Sequence, residues 1–308
     1  MEKNNFMNNR ETSLLNISKG KEESNDIETL DLVKEMAKQN LPEGSDPHGL
    51  EHTTMVAYAA KLLAVAENEN IFNAELTAWI HDWGRKDEKL FPDKTHAERS
   101  GELSKDFFRN LHKQGKLSSQ QYGDIQRGIR RHSWNKETDR ENIKIIRDAD
   151  RISRFGSLGL YHIIDCSVDN KLPFYIEGHS IVRPDNAPLM NSTDIKCAID
   201  DVNFCFEWKN MLETESAKKI VDILGKINFS FLKLFDNHKD IIDNEFWLAF
   251  LKKPAEKFKE KQDAFANNFQ WTKTKEDFEK WIKFYESIEN SEIYSEKSFE
   301  EFKKEFSK

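Results

Sequence analysis

The chain has few of the residues that cross-link a fold or anchor it outside the cell interior. Its three cysteines, Cys166, Cys197 and Cys205, are odd in number and widely spaced, with no Cys-x-x-Cys pair. That excludes a disulfide framework and fits the reduced thiols of a cytoplasmic protein. No segment approaches the roughly 18 consecutive apolar residues of a transmembrane helix. The opening stretch, MEKNNFMNNRETSLLNISKGKEESND, lacks the apolar core of a signal peptide, so no membrane partner is expected. Excess positive charge is missing too: 47 Lys and Arg stand against 55 Asp and Glu, a net charge of −8. A non-specific nucleic-acid binder relying on a basic surface is therefore excluded. Strand patterns are also lacking, since no run alternates apolar and polar residues between hairpin turns. The expected fold class is all-α.

Helical periodicity dominates from Asp26 onward. Residues 1–25 are rich in Asn, Lys, Glu and Ser and are expected to be disordered. Leu30, Val33, Met36 and Ala37 share one face of a first helix that ends before Pro42. Met55, Val56, Ala59, Leu62, Leu63 and Ala66 mark a second, and Ala74 to about Trp83 a third. DKTHAERSGELSKDFFRNL opens a fourth, and SSQQYGDIQRGIRRHS a fifth with Ser118 or Ser119 as N-cap. ENIKIIRDADRISRFG forms a sixth, ended by Gly156. A loop-rich excursion with three prolines follows between Asp165 and Asn191, and helix resumes at Ile195. After about Asp240, aromatics recur at helical spacing among Lys and Glu. This implies a main domain over 26–239 and a helical extension over 240–308. The extension's aromatic stripe should pack on the main body or serve a second subunit or protein partner.

Six of the nine histidines (His48, His52, His81, His96, His112 and His132) fall in less than a third of the chain. His52 shares a helix face with Met55, Val56, Ala59 and Leu63 and should point inward. Asp82 follows Ala78-Trp79-Ile80-His81 directly, where an unpaired carboxylate would be costly to bury. A divalent cation held jointly with histidines would compensate it. Asp148 and Asp150 both flank the apolar stripe of Ile145, Ile146, Ala149 and Ile152, and periodicity does not choose between them.

These residues resemble the H…HD…D signature of the HD superfamily of metal-dependent phosphohydrolases. HGLEHTTMVAYAAKLLA resembles the family's opening helix, HDWGRKD its HD-x-G-Lys/Arg turn, and RDADRISRFGSLGL its Asp-Ala-Asp-Arg helix. MLETESAKKIVDILGKINFSFLKLF resembles the terminal helices of the branch that includes bacterial nucleotide pyrophosphohydrolases. The likeness covers about Leu41 to His238. It implies an HD-type helical bundle with His52, His81, Asp82 and Asp150 as metal ligands, Asp148 in a supporting role and His48 orienting His52. His96 and His132 fall where members with two metals carry extra ligands; the other reading makes them contacts to substrate phosphate. One departure is Met55-Val56 in place of an Arg-Val pair.

The implied cofactor is a divalent ion (Mn, Mg, Ni, Co, Fe or Zn, with Mn favoured), with a second ion as one of the two readings. Asp82 would ligate the ion and accept or orient a water proton; Glu51 and Asp87 are alternative acids. Arg85, Lys86, Arg151 and Arg154, with Arg130 and Arg131 nearby, offer charge to an anionic substrate. The expected partner is a small phosphorylated molecule, a nucleotide foremost. The competing expectation is a non-catalytic HD fold that senses a nucleotide or binds a protein.

Overall fold

In the computed structural model the described residues are 26–43, 48–86, 88–133, 140–183, 187–241, 243–290 and 292–307. The predicted disorder of residues 1–25 lies outside them. Among the described residues there are helices and no strand, in agreement with the all-α expectation.

Helix α1 spans 26–40 and buries Val33 and Ala37. Helices α2 (Leu50–Ala66) and α3 (Ile71–Ile80) pack closely on each other. Asn70 caps α3 by accepting the Asn73 amide at 2.8 Å. The expected fourth helix is two, α4 (His96–Leu103) and α5 (Lys105–Lys113), divided at Ser104. Thr95 and Glu98 close a capping box at the start of α4. Ser118 and Gln121 do the same for α6 (Ser119–Arg131).

Helix α7 (Glu141–Ile152) ends as expected near Gly156, yet a further helix, α8 (Gly156–Asp169), begins there at once. Gly156 has φ +79°, a left-handed conformation that β-carbon-bearing residues disfavour. The chain can therefore turn sharply and start a new helix without a loop. The irregular excursion follows α8 and leads to α9 (Ala198–Lys209) and α10 (Glu215–His238). The extension consists of α11 (Asn244–Asn268), α12 (Lys275–Ile288) and α13 (Glu296–Phe306).

Two apolar clusters hold the helices together. The larger joins α2, α3, α6 and α7 to Phe258 of α11 and to Phe278, Trp281 and Tyr285 of α12. The smaller joins α8, α9 and α10 to Phe246, Trp247 and Phe250 of α11 and Phe299 of α13. The aromatic stripe of the extension is thus buried in the same cores as the main domain. At about 25 cal/mol per Å² of apolar area, each such ring contributes on the order of 2–3 kcal/mol. The end of α10 divides the chain in sequence but not in its core.

Candidate metal centre

The ends of five helices meet around one carboxylate. His52 lies in the first turn of α2, His81 and Asp82 directly follow α3, and Asp150 lies in the last turn of α7. His52 Nε2 is 3.3 Å from His81 Nε2, 3.3 Å from Asp150 Oδ1 and 3.7 Å from Asp82 Oδ2. His81 Nε2 is 3.4 Å from the same Asp82 oxygen. His52, His81 and Asp82 are buried, while Asp150 keeps 27% side-chain exposure and marks the open side.

The other Asp82 oxygen faces a second pair. His96, the first residue of α4, and His132, directly after α6, place their Nε2 atoms 3.0 Å apart. These atoms stand 3.6 and 3.5 Å from Asp82 Oδ1. That oxygen is buried with no hydrogen-bond partner. An unpartnered buried carboxylate oxygen beside two ring nitrogens is costly unless a cation completes it.

The far side of each ring is tied to an oxygen. His81 Nδ1 lies 2.6 Å from the Ala78 carbonyl and His132 Nδ1 2.7 Å from that of Ile129. Both are orphan carbonyls of a helix's last turn. His52 Nδ1 lies 3.2 Å from Ser153 Oγ, which itself donates to the Asp150 carbonyl at 2.6 Å. His96 Nδ1 is 3.7 Å from Glu88 Oε1. A neutral imidazole whose Nδ1 carries the proton presents an Nε2 lone pair inward, the state a metal ligand needs.

The charge balance agrees for His52, His96, Asp82 and Asp150, whereas His81 goes the other way: burial lowers it, but Asp82 and Asp150 outweigh burial and raise it. Burial pulls His52 and His96 down to about 3, against the opposing pull of Asp150 and Asp82 respectively. Burial works against ionisation of Asp82, but the neighbouring His81 and His132 outweigh it and hold the carboxyl well below its usual range. Burial likewise opposes Asp150, and His52 and His81 lower it. Lone-pair nitrogens and ionised oxygens converging from several directions fit a divalent ion. His52, His81 and Asp150, and separately His81, Asp82 and His132, each offer ligand atoms within 4.8 Å of one another.

The remaining expected residues divide. Arg85 joins the centre, with Nε 3.5 Å from Asp82 Oδ1 and Nη1 3.0 Å from Glu88. Arg154 reaches it at one remove: Nη2 is 3.2 Å from His48 Nε2, and the His48 ring stands edge-on to His52 at 5.6 Å. Lys86 does not join, because its ammonium donates to the Gln39 carbonyl at 2.9 Å on the surface. Arg151 is not brought in either. Its guanidinium donates to the Met211 carbonyl and lies 3.4 Å from Asp148. Glu51 faces outward to His162 and Lys259, and Asp87 lies outside the described residues.

Asp148 is fully buried and accepts from the amides of Glu213 and Thr214 and the Thr214 hydroxyl. Its work is to tie α7 to the start of α10. His179, Cys197 and Asp200 form another compact group. There Asp200 already accepts from His179 Nδ1 and the Lys196 amide at the start of α9.

Ser153 and Glu88 escaped the reading of the sequence, as did the packing role of Gly84, which stood there only as part of HD-x-G. A β-carbon on Gly84 would meet the His96 carbonyl at 2.2 Å, so the glycine lets α4 approach the turn after Asp82. The Gly84 amide donates to Ser100 Oγ at 2.8 Å, which fixes that approach. The glycine was visible in HDWG; its neighbour in space was not.

A helical domain whose donors come in the order His, His-Asp, Asp belongs to a recognisable class, and a family model gives it its name. Residues 49–154, which contain all six of these side chains, match the family model of the HD domain. Among solved structures, a protein of Lactobacillus plantarum aligns with TM-score 0.51 at 18% identity, over 68% of this chain and 96% of that one. A protein described as an HD-superfamily hydrolase from Bacillus thuringiensis gives 0.51 at 18%, over 70% and 99%. YpgQ of Bacillus subtilis gives 0.50 at 17%, over 71% and 99%. At these identities the likeness is one of fold. No curated protein matches the chain.

Proposed function

We propose that the protein is a metal-dependent phosphohydrolase cleaving a phosphoester or pyrophosphate bond in a small phosphorylated molecule, with nucleotides as the substrate class. The observation that carries this reading is the divided carboxylate of Asp82. One oxygen faces His52 and His81, and the other, unpartnered, faces His96 and His132.

His52, His81, Asp82 and Asp150 would hold one divalent ion, with Mn²⁺ favoured among ions that accept imidazole and carboxylate together. A divalent ion there supplies Lewis acidity and lowers the pKa of a water it binds. Asp82 Oδ1, His96 and His132 would hold a second ion or, without one, a phosphoryl oxygen. Without a second ion, Asp82 Oδ1 is placed to take the proton of the attacking water. Arg85, whose Nε is buried without a hydrogen-bond partner, would bind phosphoryl oxygens. On the other flank, Arg154 stands 5.7 Å from the Trp208 ring. An aromatic face beside a guanidinium is a platform on which a nucleobase stacks.

The test is phosphate release across nucleoside mono-, di- and triphosphates and simple phosphate esters with Mn²⁺, Mg²⁺, Co²⁺ and Ni²⁺. Metal-dependent release that disappears in Asp150→Ala is expected. Tight metal and nucleotide binding with no release on any substrate would replace the enzyme by a nucleotide-sensing module.

A further inference from the structure

The strongest unassigned feature outside the donor set is a buried carboxylate contributed by the extension. Glu289 directly follows α12 and reaches the start of α8. Its Oε1 accepts the Ser157 amide and its Oε2 the Ser157 hydroxyl, both at 2.8 Å. A helix's first amides have no partner within the helix, and its N-terminal end favours negative charge. Glu289 therefore caps α8 from a distant segment. A β-carbon on Gly156 would lie 3.0 Å from Glu289 Oε1, so the two segments are in close contact there.

The junction it holds is short and carries weight. Ser153, just upstream, supports His52 through Nδ1 and bonds the backbone of Asp150. Arg154 meets His48. The same stretch is held from the opposite side by Asn228 of α10. That residue accepts the Gly156 amide at 2.9 Å and donates to the Arg154 carbonyl at 3.3 Å. A second tether from the extension lands beside the other donor helix, where Lys259 of α11 pairs with Glu51, the neighbour of His52. Both of these polar tethers therefore adjoin elements that orient His52.

We propose that Glu289 is a positioning residue of the metal centre: by clamping Ser157 it fixes the α7–α8 junction and, through Ser153, the orientation of His52 and Asp150. The extension is accordingly a working part of the site, although it contributes no donor. This rests on reading His52, His81, Asp82 and Asp150 as metal ligands.

The experiment is calorimetric titration of the full chain with Mn²⁺, alongside melting curves. The proteins are wild type, Glu289→Ala, Glu289→Gln, Ser157→Ala and Phe299→Leu, the last a core change remote from the junction. Glutamine can accept the Ser157 amide and donate to its hydroxyl, so Glu289→Gln should bind Mn²⁺ as wild type does. Glu289→Ala should bind about tenfold more weakly, in the range found when a residue supporting a ligand is lost. Ser157→Ala should fall in the same direction. Phe299→Leu should lower the melting temperature without weakening Mn²⁺ binding. A folded Glu289→Ala with wild-type affinity overturns the inference, as does equal weakening in Phe299→Leu. If Glu289→Ala does not fold, Ser157→Ala decides in its place. Failure of wild type itself to take up Mn²⁺ would instead sink the ligand assignment beneath it.

Discussion

His81 and His132 end two different helices in the same way. Each ring reaches back to the carbonyl three positions earlier, and the two rings stand perpendicular, 86° apart in plane, with centroids 5.0 Å apart. Two helix C-termini thus supply carbonyl acceptors that orient two inward nitrogens on either side of Asp82. The site's geometry is built into the ends of α3 and α6 rather than into loops, which favours a preset donor arrangement.

If this arrangement waits for a cation, supplying one should stabilise the fold. Mn²⁺ at about a hundredfold over its Kd should add roughly 2.7 kcal/mol, read as a rise in melting temperature that chelator reverses. Asp82→Asn should abolish the rise, because the shared donor loses its charge. A melting temperature indifferent to Mn²⁺ and chelator would count against the centre.

Asp150 and Asp148 should separate by phenotype. Asp150→Ala removes a donor on the open side and should leave a folded protein without high-affinity metal. Asp148→Ala strips the acceptor from the buried Glu213 and Thr214 amides and should cost about 3 kcal/mol of stability. Denaturant midpoints and metal titrations on both variants check this. A stable Asp148→Ala that has lost its metal would invert the assignment.

Gly84→Ala drives a methyl group into the His96 carbonyl. The expected outcome is a loss on the order of 2–3 kcal/mol together with displacement of α4, and hence of His96. Reduced stability with unchanged metal stoichiometry and turnover would show that His96 does not depend on this approach.

Glu289 should leave a signature in the pH dependence of stability. Burial pushes it up to about 7 from 4.5, against the Ser157 hydrogen bonds that lower it. A carboxyl that holds its proton more tightly when folded contributes stability that is complete below pH 4.5 and lost as pH rises through 7. The span corresponds to about 3 kcal/mol. The depressed Asp82, Asp150, His52 and His96 act oppositely, losing stability as pH falls. The measurement is therefore the difference between wild type and Glu289→Gln, by denaturant unfolding at pH 5 and pH 8. Wild type should gain on the variant at the lower pH; an unchanged difference would show an ordinary carboxyl.

Arg85 and Lys86, adjacent in sequence, should differ in effect. Arg85→Ala is expected to lower turnover roughly a hundredfold, while Lys86→Ala leaves it near wild type. Steady-state kinetics on an identified substrate decide the matter.

That last pair shows where a sequence stops being readable. The candidate donors His52, His81 and Asp82 stood out because they interrupt apolar helical stripes, where charge and imidazole need a reason. Asp150 over Asp148 came only from the family resemblance, since both flank the same stripe. A cation beside a motif carries no such information. Lys86 and Arg151 lie next to motif residues, yet local backbone direction sends one to Gln39 and the other to Met211. Helix α8 was missed because Gly156 looks like a stop and proves to be a corner. Ser153 and Glu289 were invisible because their significance lies in contacts with His52 and Ser157, which no periodicity encodes.

The capping of α8 by a residue so far along the chain also sets a timetable. Ser157 and Glu289 are 132 positions apart. At ordinary translation rates of about 5–20 residues per second, the first leaves the ribosome on the order of ten seconds before the second. During that interval the nascent chain already holds every candidate donor while the first turn of α8 still lacks its cap.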